Sequence, residues 1–327
     1  MRTDPDISVI ILSFNEARHI ARAIVSVQPF AKTVFVVDSG SDDDTLAVAR
    51  AYGAQTVTHH FINQAQQFNW ALKTLPIETE WVLRLDADEV IENDLAKAIS
   101  LTLPSLPAHI TGIEFPRKHV FMGRWIRHGG RYPVWMLRLF RTHCGHSEDR
   151  WMDEHIVLTQ GNSIRLHGGF ADINLNDLTQ FTAKHNAYAT REAIAIFGER
   201  YALFGSNKTI AGKLQGSACF RRWLKVHIYG RLPFGLGPLG YFLYRYFIKG
   251  GFLDGKEGLI YHFLQGFWYR LLVSAKVAQW DRELRPLRNR TNRLNRLEEL
   301  TGFTLFSGQR FHTRPAGTAS KARAPTP

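Results

Sequence analysis

Along the first hundred residues, short apolar runs alternate with segments whose apolar side chains recur every three to four positions. This alternation constrains the fold more than any other feature. Residues 7–12 read as a strand, after which Asn15 can cap a helix over 16–27 with Ile20, Ile24 and Val27 on one face. A second strand over 33–37 leads to a helix over 41–52, capped by Ser41 and stopped by Gly53. Residues 55–58 form a short third strand. A helix over 64–75 ends at Pro76, and an apolar run over 81–85 leads into Asp86. The order predicts an α/β fold, a mostly parallel sheet with helices on both faces. After His109 the pattern changes. Longer strands over 112–122 and 134–141, joined by the polar loop Arg127-His128-Gly129-Gly130-Arg131, make the sheet mixed.

The chemistry is concentrated where the parallel strands end. The first ends in Ser13-Phe14-Asn15-Glu16, the second in Asp38-Ser39-Gly40-Ser41-Asp42-Asp43-Asp44-Thr45, and the fourth in Asp86-Ala87-Asp88. In open α/β sheets the carboxyl ends of the strands face the ligand crevice. Two carboxylates one residue apart repel each other unless a cation lies between them. A hard divalent ion, Mg²⁺ or Mn²⁺, suits oxygen ligands and is commonly shared with substrate phosphates. No G-x-G-x-x-G follows the first strand and no G-x-x-x-x-G-K-[ST] occurs. The helix after the second strand opens with Asp42, Asp43 and Asp44, which would repel a diphosphate. A neutral base and ribose can lie near Asp38, with the diphosphate neutralised by metal at Asp88.

Charge and aromatic content describe the rest of the chain. The formal net charge is +12, which implies a polyanionic partner. From 213 to 280 the sequence is basic, aromatic and broken by Gly and Pro. Arg221-Arg222-Trp223-Leu224-Lys225, the run from Leu239 to Lys249, and Phe263, Phe267, Trp268 and Tyr269 mix aromatics with cations as membrane-interface helices do. Nucleic acid is not the expected polyanion, because no helix-turn-helix, zinc finger or RNP signature is present. Cys144 and Cys219 are the only cysteines, which fits a reducing compartment. No secretory leader and no spanning helix are expected. Residues 174–200 read as a helix and 306–327 as a disordered tail.

Ser-Phe-Asn-Glu, Val-Asp-Ser-Gly-Ser-Asp-Asp-Asp-Thr and Leu-Asp-Ala-Asp-Glu, in this order, resemble the family 2 glycosyltransferases of the GT-A fold. The likeness is strongest over residues 7–95. The runs 124–130, 252–256 and 267–270 are similar to the branch of lipopolysaccharide inner-core glucosyltransferases that modify heptose. The resemblance implies a GT-A-like sheet with a nucleotide-sugar half over 1–105 and an acceptor and catalytic half over 106–172. A helical, membrane-associating region would follow over 173–305. It also implies roles. Glu16 and Asp38 would contact uridine, with Asn15 in the same nucleotide-binding set. Asp86 would hold the ribose and help the metal, and Asp88 would ligate Mg²⁺ or Mn²⁺. An inverting transferase needs a base for the acceptor hydroxyl. Relatives often carry His-Glu where this chain has Asp153-Glu154; the resemblance favours Glu154 as the base, with Asp153 second and Asp149 third. Gln64, Gln67 and Asn69 correspond to amides near the sugar nucleotide. Arg127, His128, Arg131 and Arg138 are candidates for an acceptor phosphate. The implied reaction moves a hexose, glucose first, from a UDP-sugar to a lipopolysaccharide core heptose at the cytoplasmic face of an inner membrane. Polyprenyl phosphate is an alternative acceptor, and a non-catalytic basic binding module is the alternative class.

Overall fold

The computed structural model describes residues 6–148, 155–204, 234–305 and 312–313. Strands β1 (Ile7–Ser13), β2 (Thr33–Asp38), β3 (Gln55–Thr58) and β4 (Trp81–Asp86) lie parallel in the order β3-β2-β1-β4. β1, β2 and β4 are buried almost throughout, as strands covered on both faces must be. On one face Ile7, Val9 and Ile11 meet Ile20, Ile24 and Val27 of α1 (Ile20–Val27) and Leu95 and Ile99 of α4 (Asn93–Thr102). On the other, Ile10, Phe35 and Val37 meet Phe68 and Ala71 of α3 (Gln64–Thr74). Each large aliphatic side chain buried here contributes roughly 1.5–3 kcal/mol. The face of α1 expected from periodicity is the one that is buried.

The second half completes a mixed sheet. β8 (Val134–Arg141) runs antiparallel between β4 and β6 (Ile110–Phe121). β12 (Phe170–Ile173) lies parallel to β6, and the short β5 (Glu89–Ile91) adds antiparallel to β12. β7 (Arg124–Ile126) and β11 (Asn162–Arg165) also pair with β6, giving a ten-stranded sheet among the described residues. β9 (Gly145–Ser147) and β10 (Ile156–Leu158) form a separate two-stranded sheet. The fold is the expected mixed, mostly parallel GT-A-like α/β arrangement.

Several boundaries differ from expectation for local reasons. α1 begins at Ile20, because residues 17–19 form a turn in which Glu16 O accepts from both His19 N and Ile20 N. Asn15 is therefore no helix cap; its φ is +55°, and its side chain instead accepts from Asp42 N at 3.0 Å. α2 (Thr45–Ala51) begins four residues after Ser41, whose hydroxyl is turned onto Asp38 at 2.5 Å. β5, a strand three residues long, has too little pattern to be read from sequence.

The C-terminal part is helical. α5 (Leu178–Arg200) is capped by Asp177, whose side chain accepts from Gln180 N at 2.9 Å. Then follow α6 (Leu236–Leu243), a π-helical turn Tyr244–Ile248, a 3-10 turn Gly251–Asp254, α7 (Gly255–His262), a second π-helical turn Phe263–Trp268, α8 (Tyr269–Leu284) and α9 (Arg290–Thr301). Phe197, Trp280, Leu284 and Leu297 make a second core joining α5, α8 and α9. Among the described residues no helix is long and apolar enough to cross a membrane. Within the segment expected to be a tail, His312–Thr313 pairs antiparallel with Phe303–Thr304, and the rest lies outside the described residues. The basic run 221–225 also lies outside them.

Candidate active site

The register sets the site. Leu12 pairs with Asp86 and Ser13 with Asp38, so the ends of β2, β1 and β4 stand side by side at one sheet edge. Glu16, Asp38, Asp86 and Asp88 all leave from that edge or the loops just beyond it.

Asp38 is fully buried and organises the first two loops. One carboxylate oxygen accepts from the hydroxyls of Ser13 (2.9 Å) and Ser41 (2.5 Å). The other accepts from the backbone N–H groups of Gly40 (2.8 Å) and Ser41 (2.7 Å). These four bonds fill the acceptor capacity of a carboxylate. Gly40, at φ +94°, gives the turn a conformation that side chains rarely adopt. The Asn15 loop is tied on by Asn15 N to the Ser41 hydroxyl (2.8 Å) and Glu16 N to the Thr45 hydroxyl (2.8 Å). Glu16 lies 2.6 Å from Nδ1 of buried His19. Leu175 N donates to Nε2 of that ring at 2.9 Å.

Asp86 and Asp88 differ in environment. Nη2 of Arg138 donates to both Asp86 (3.0 Å) and Glu89 (2.5 Å), and Arg84 lies 3.6 Å from Asp86. Burial works to raise the Asp86 pKa, but the guanidinium groups of Arg138 and Arg84 outweigh it and hold the carboxyl well below the usual carboxylate range. Burial pushes Glu89 up despite Arg138. Asp88 accepts from the Asn174 side-chain amide at 3.1 Å. Burial first, then the carboxylates of Asp172, Asp86 and Glu16, push its pKa up to about 6, against the opposing charge of Lys184. Asp86 Oδ1 is buried without a hydrogen-bond partner.

Among the described residues no three side chains form a ready metal cage. A hard cation held by one or two carboxylates, waters and substrate phosphate needs none. The residues present fit such an ion on two counts. Their donors are hard oxygens, and beyond burial the neighbouring carboxylates of Asp172, Asp86 and Glu16 repel the Asp88 charge, a repulsion that a cation there would relieve.

Glu154, Asp153 and Asp149 lie outside the described residues. Their segment leaves β9 after Glu148 and returns at His155, where Glu148 N bonds His155 O at 2.9 Å. The expected amides take structural parts. Gln67 is buried and bonds Ser39, His59 Nδ1 and His59 O, while Asn69 holds Ser147 through two bonds of 2.8 and 2.9 Å. Gln64 is exposed. Arg138, read as a partner for acceptor phosphate, is instead 3% exposed and committed to Asp86 and Glu89.

Several neighbours of the site escaped the sequence reading. Asp172 of β12 sits opposite Glu89, accepts from His119 Nδ1 at 3.0 Å and lies 3.8 Å from Arg117. Lys184 of α5 has its pKa raised to about 12, because the charges of Tyr188, Asp88, Glu16 and Asp172 outweigh its burial. Glu89 directly follows Asp-Ala-Asp and was the one member with a sequence signal. Asp172 and Lys184 are separated from that motif by more than eighty residues and carry none.

An acidic edge at the carboxyl ends of parallel strands, backed by an antiparallel half-sheet, is a GT-A-like arrangement. The model of glycosyl transferase family 2 matches residues 8–171, just over half of the chain. The chain belongs to that family. It is 38% identical over 99 residues to an uncharacterized glycosyltransferase of Rickettsia felis, covering 30% of this chain and 34% of that protein. A glycosyltransferase of Rickettsia conorii, also uncharacterized, matches to the same extent. The chain thus spans about a third of the length of the curated relatives it matches. Among solved structures, glucosyl-3-phosphoglycerate synthase from Mycobacterium tuberculosis with Mn²⁺ and UDP-glucose is 17% identical, covering 57% of this chain and 77% of that one at a TM-score of 0.38.

Proposed function

We propose that this glycosyltransferase moves a hexose, glucose first, from a UDP-sugar to a lipopolysaccharide core heptose or a similar glycolipid hydroxyl, with inversion. The observation that carries the reading is the Asp86–Asp88 pair. The two carboxylates stand at the end of the strand beside Glu16 and Asp38, and the Asp88 pKa is lifted by burial first and then by its acidic neighbours. Asp38 and Asn15 shape the loop on which a uridine and ribose would lie. Arg138 keeps Asp86 ionised. A divalent ion bound at Asp88, with Asp86 assisting, would neutralise the diphosphate leaving group. Glu154 or Asp153 would take the proton of the acceptor hydroxyl as it attacks.

The lipid-linked acceptor has support in the surface of the C-terminal helices. Phe234, Leu243, Tyr244, Phe247, Ile248, Phe252 and Leu253 are all exposed, Ile248 to 74%, beside exposed Arg124, Lys249 and Lys256. Exposed apolar side chains interspersed with cations along this part of the chain suit the surface of an anionic membrane. The test is UDP release from a panel of UDP-sugars, with core-truncated lipopolysaccharide and Mn²⁺ or Mg²⁺. The reading requires acceptor-dependent, chelator-sensitive release from one donor. Release that needs polyprenyl phosphate instead would replace the acceptor.

A further inference from the structure

Two distant sequence runs meet on the acceptor side of the sheet. Asp254 is buried and accepts from His128 through both the backbone N–H (2.8 Å) and ring Nδ1 (2.7 Å). Gly129 N bonds Lys249 O at 2.9 Å, and Arg245 Nε donates to Gly129 O at 2.7 Å. His262, fully buried, is wedged between the two loops. A Cβ on Gly129 would fall 2.1 Å from its ring, and one on Gly251 2.6 Å. The clamp presents two guanidinium groups to the Tyr261–His262 pair. Arg131 lies 5.3 Å above the Tyr261 ring, and Arg245 bonds Gly129, against which the His262 ring packs.

Among the described residues neither arginine makes an ion pair with a carboxylate; both charges act on Tyr261 and His262, Arg131 acts also on Asp172, and the Arg245 guanidinium lies 5.5 Å from the Tyr241 ring. Arg245 is only 6% exposed, and its Nη2 has no hydrogen-bond partner. Arg131 Nε and both ring nitrogens of His262 are likewise buried and unbonded. A buried guanidinium with idle N–H groups is costly unless an anion completes it. The place is also adjacent to the acidic edge. The Tyr261 ring lies 4.9 Å from that of His119, and His119 bonds Asp172, which acts on Asp88.

We propose that Arg131 and Arg245 form an oxyanion site for a phosphate or carboxylate group on the acceptor, beside the hydroxyl that receives the sugar. The inference rests on the transferase reading above and extends it from donor to acceptor. Planar N–H forks suit either oxyanion. Arg138, by contrast, is already bonded to Asp86 and Glu89.

The test is calorimetric titration of the full chain with inorganic phosphate and, separately, with acetate, each with and without saturating UDP and Mn²⁺. Arg131→Gln and Arg245→Gln are compared with the unaltered protein. Arg131 makes no side-chain hydrogen bond, so its replacement leaves the clamp intact, and thermal melting checks both variants. The expected result is binding of one anion by the unaltered protein that persists with UDP bound and weakens at least about tenfold in each variant. The tighter of the two anions identifies the acceptor group. Equal binding by all three proteins, or none by the unaltered one, overturns the proposal. UDP binding is read in the same experiment. Its absence would count against the donor site, while the anion comparison without UDP would still decide the acceptor site.

Discussion

Asp38 shows how one residue can be found from sequence while its local task is not. Its position at the end of β2 followed from the apolar run before it and the Ser-Gly-Ser turn after it. Its four internal hydrogen bonds did not, because they depend on Ser13 arriving in register from a different strand. Asparagine at this position keeps one carbonyl but turns two acceptor positions into donors. Asp38→Asn should therefore destabilise the protein by about 1–3 kcal/mol and weaken UDP binding, read as a lower denaturant midpoint and a higher Kd. An unchanged midpoint would show that the four bonds contribute little. The opposite case is Asn15. Its identity as a polar residue before a helix was legible, but the cap was assigned to the wrong partner, since Asn15 serves the neighbouring loop and not its own helix.

Elements were legible where periodicity was long and opaque where tertiary contacts define them. The first four strands and α1, α3 and α5 follow their apolar patterns. β5 and the junction of β7 with the 3-10 turn do not, because they exist through pairing with β12 and through the His128–Asp254 bonds. That junction carries a pH signature. Burial, then the charges of Arg245 and Arg131, depress the His262 pKa to about 4, with Asp254 opposing. The unfolded imidazole titrates near 6.5. Between those values the unfolded chain binds more protons, so stability falls as pH drops below about 6.5 and the loss is complete near 4. The effect is no more than about 3 kcal/mol. Urea midpoints at pH 7.5 and 5 should differ more for the unaltered protein than for His262→Gln. Equal differences would place the acid sensitivity elsewhere.

At the scale of the whole molecule, the net charge and the aromatic C-terminal region lead to the expectation of a partner surface, and several apolar side chains of that region are exposed. Sequence alone could not separate the buried aromatics from the exposed ones. Tyr261 and Trp280 lie in cores, whereas Phe247, Ile248 and Phe252 face outward. Vesicles containing anionic lipid should therefore sediment the protein, and Phe247→Ser with Ile248→Ser should release most of it. Basic contacts of about 1 kcal/mol each predict that salt will weaken the binding as well. Equal sedimentation of the double variant would exclude this face as the contact.

In the function proposed here, the paired carboxylates at the end of β4 hold the nucleotide diphosphate through a divalent ion. The most direct measurement is UDP affinity with and without Mn²⁺, for the unaltered protein and for Asp88→Asn. The expected result is metal-dependent binding that chelator abolishes and that Asp88→Asn weakens by at least about 100-fold, with the melting temperature little changed. UDP binding that is indifferent to metal, or that survives Asp88→Asn unchanged, would contradict it.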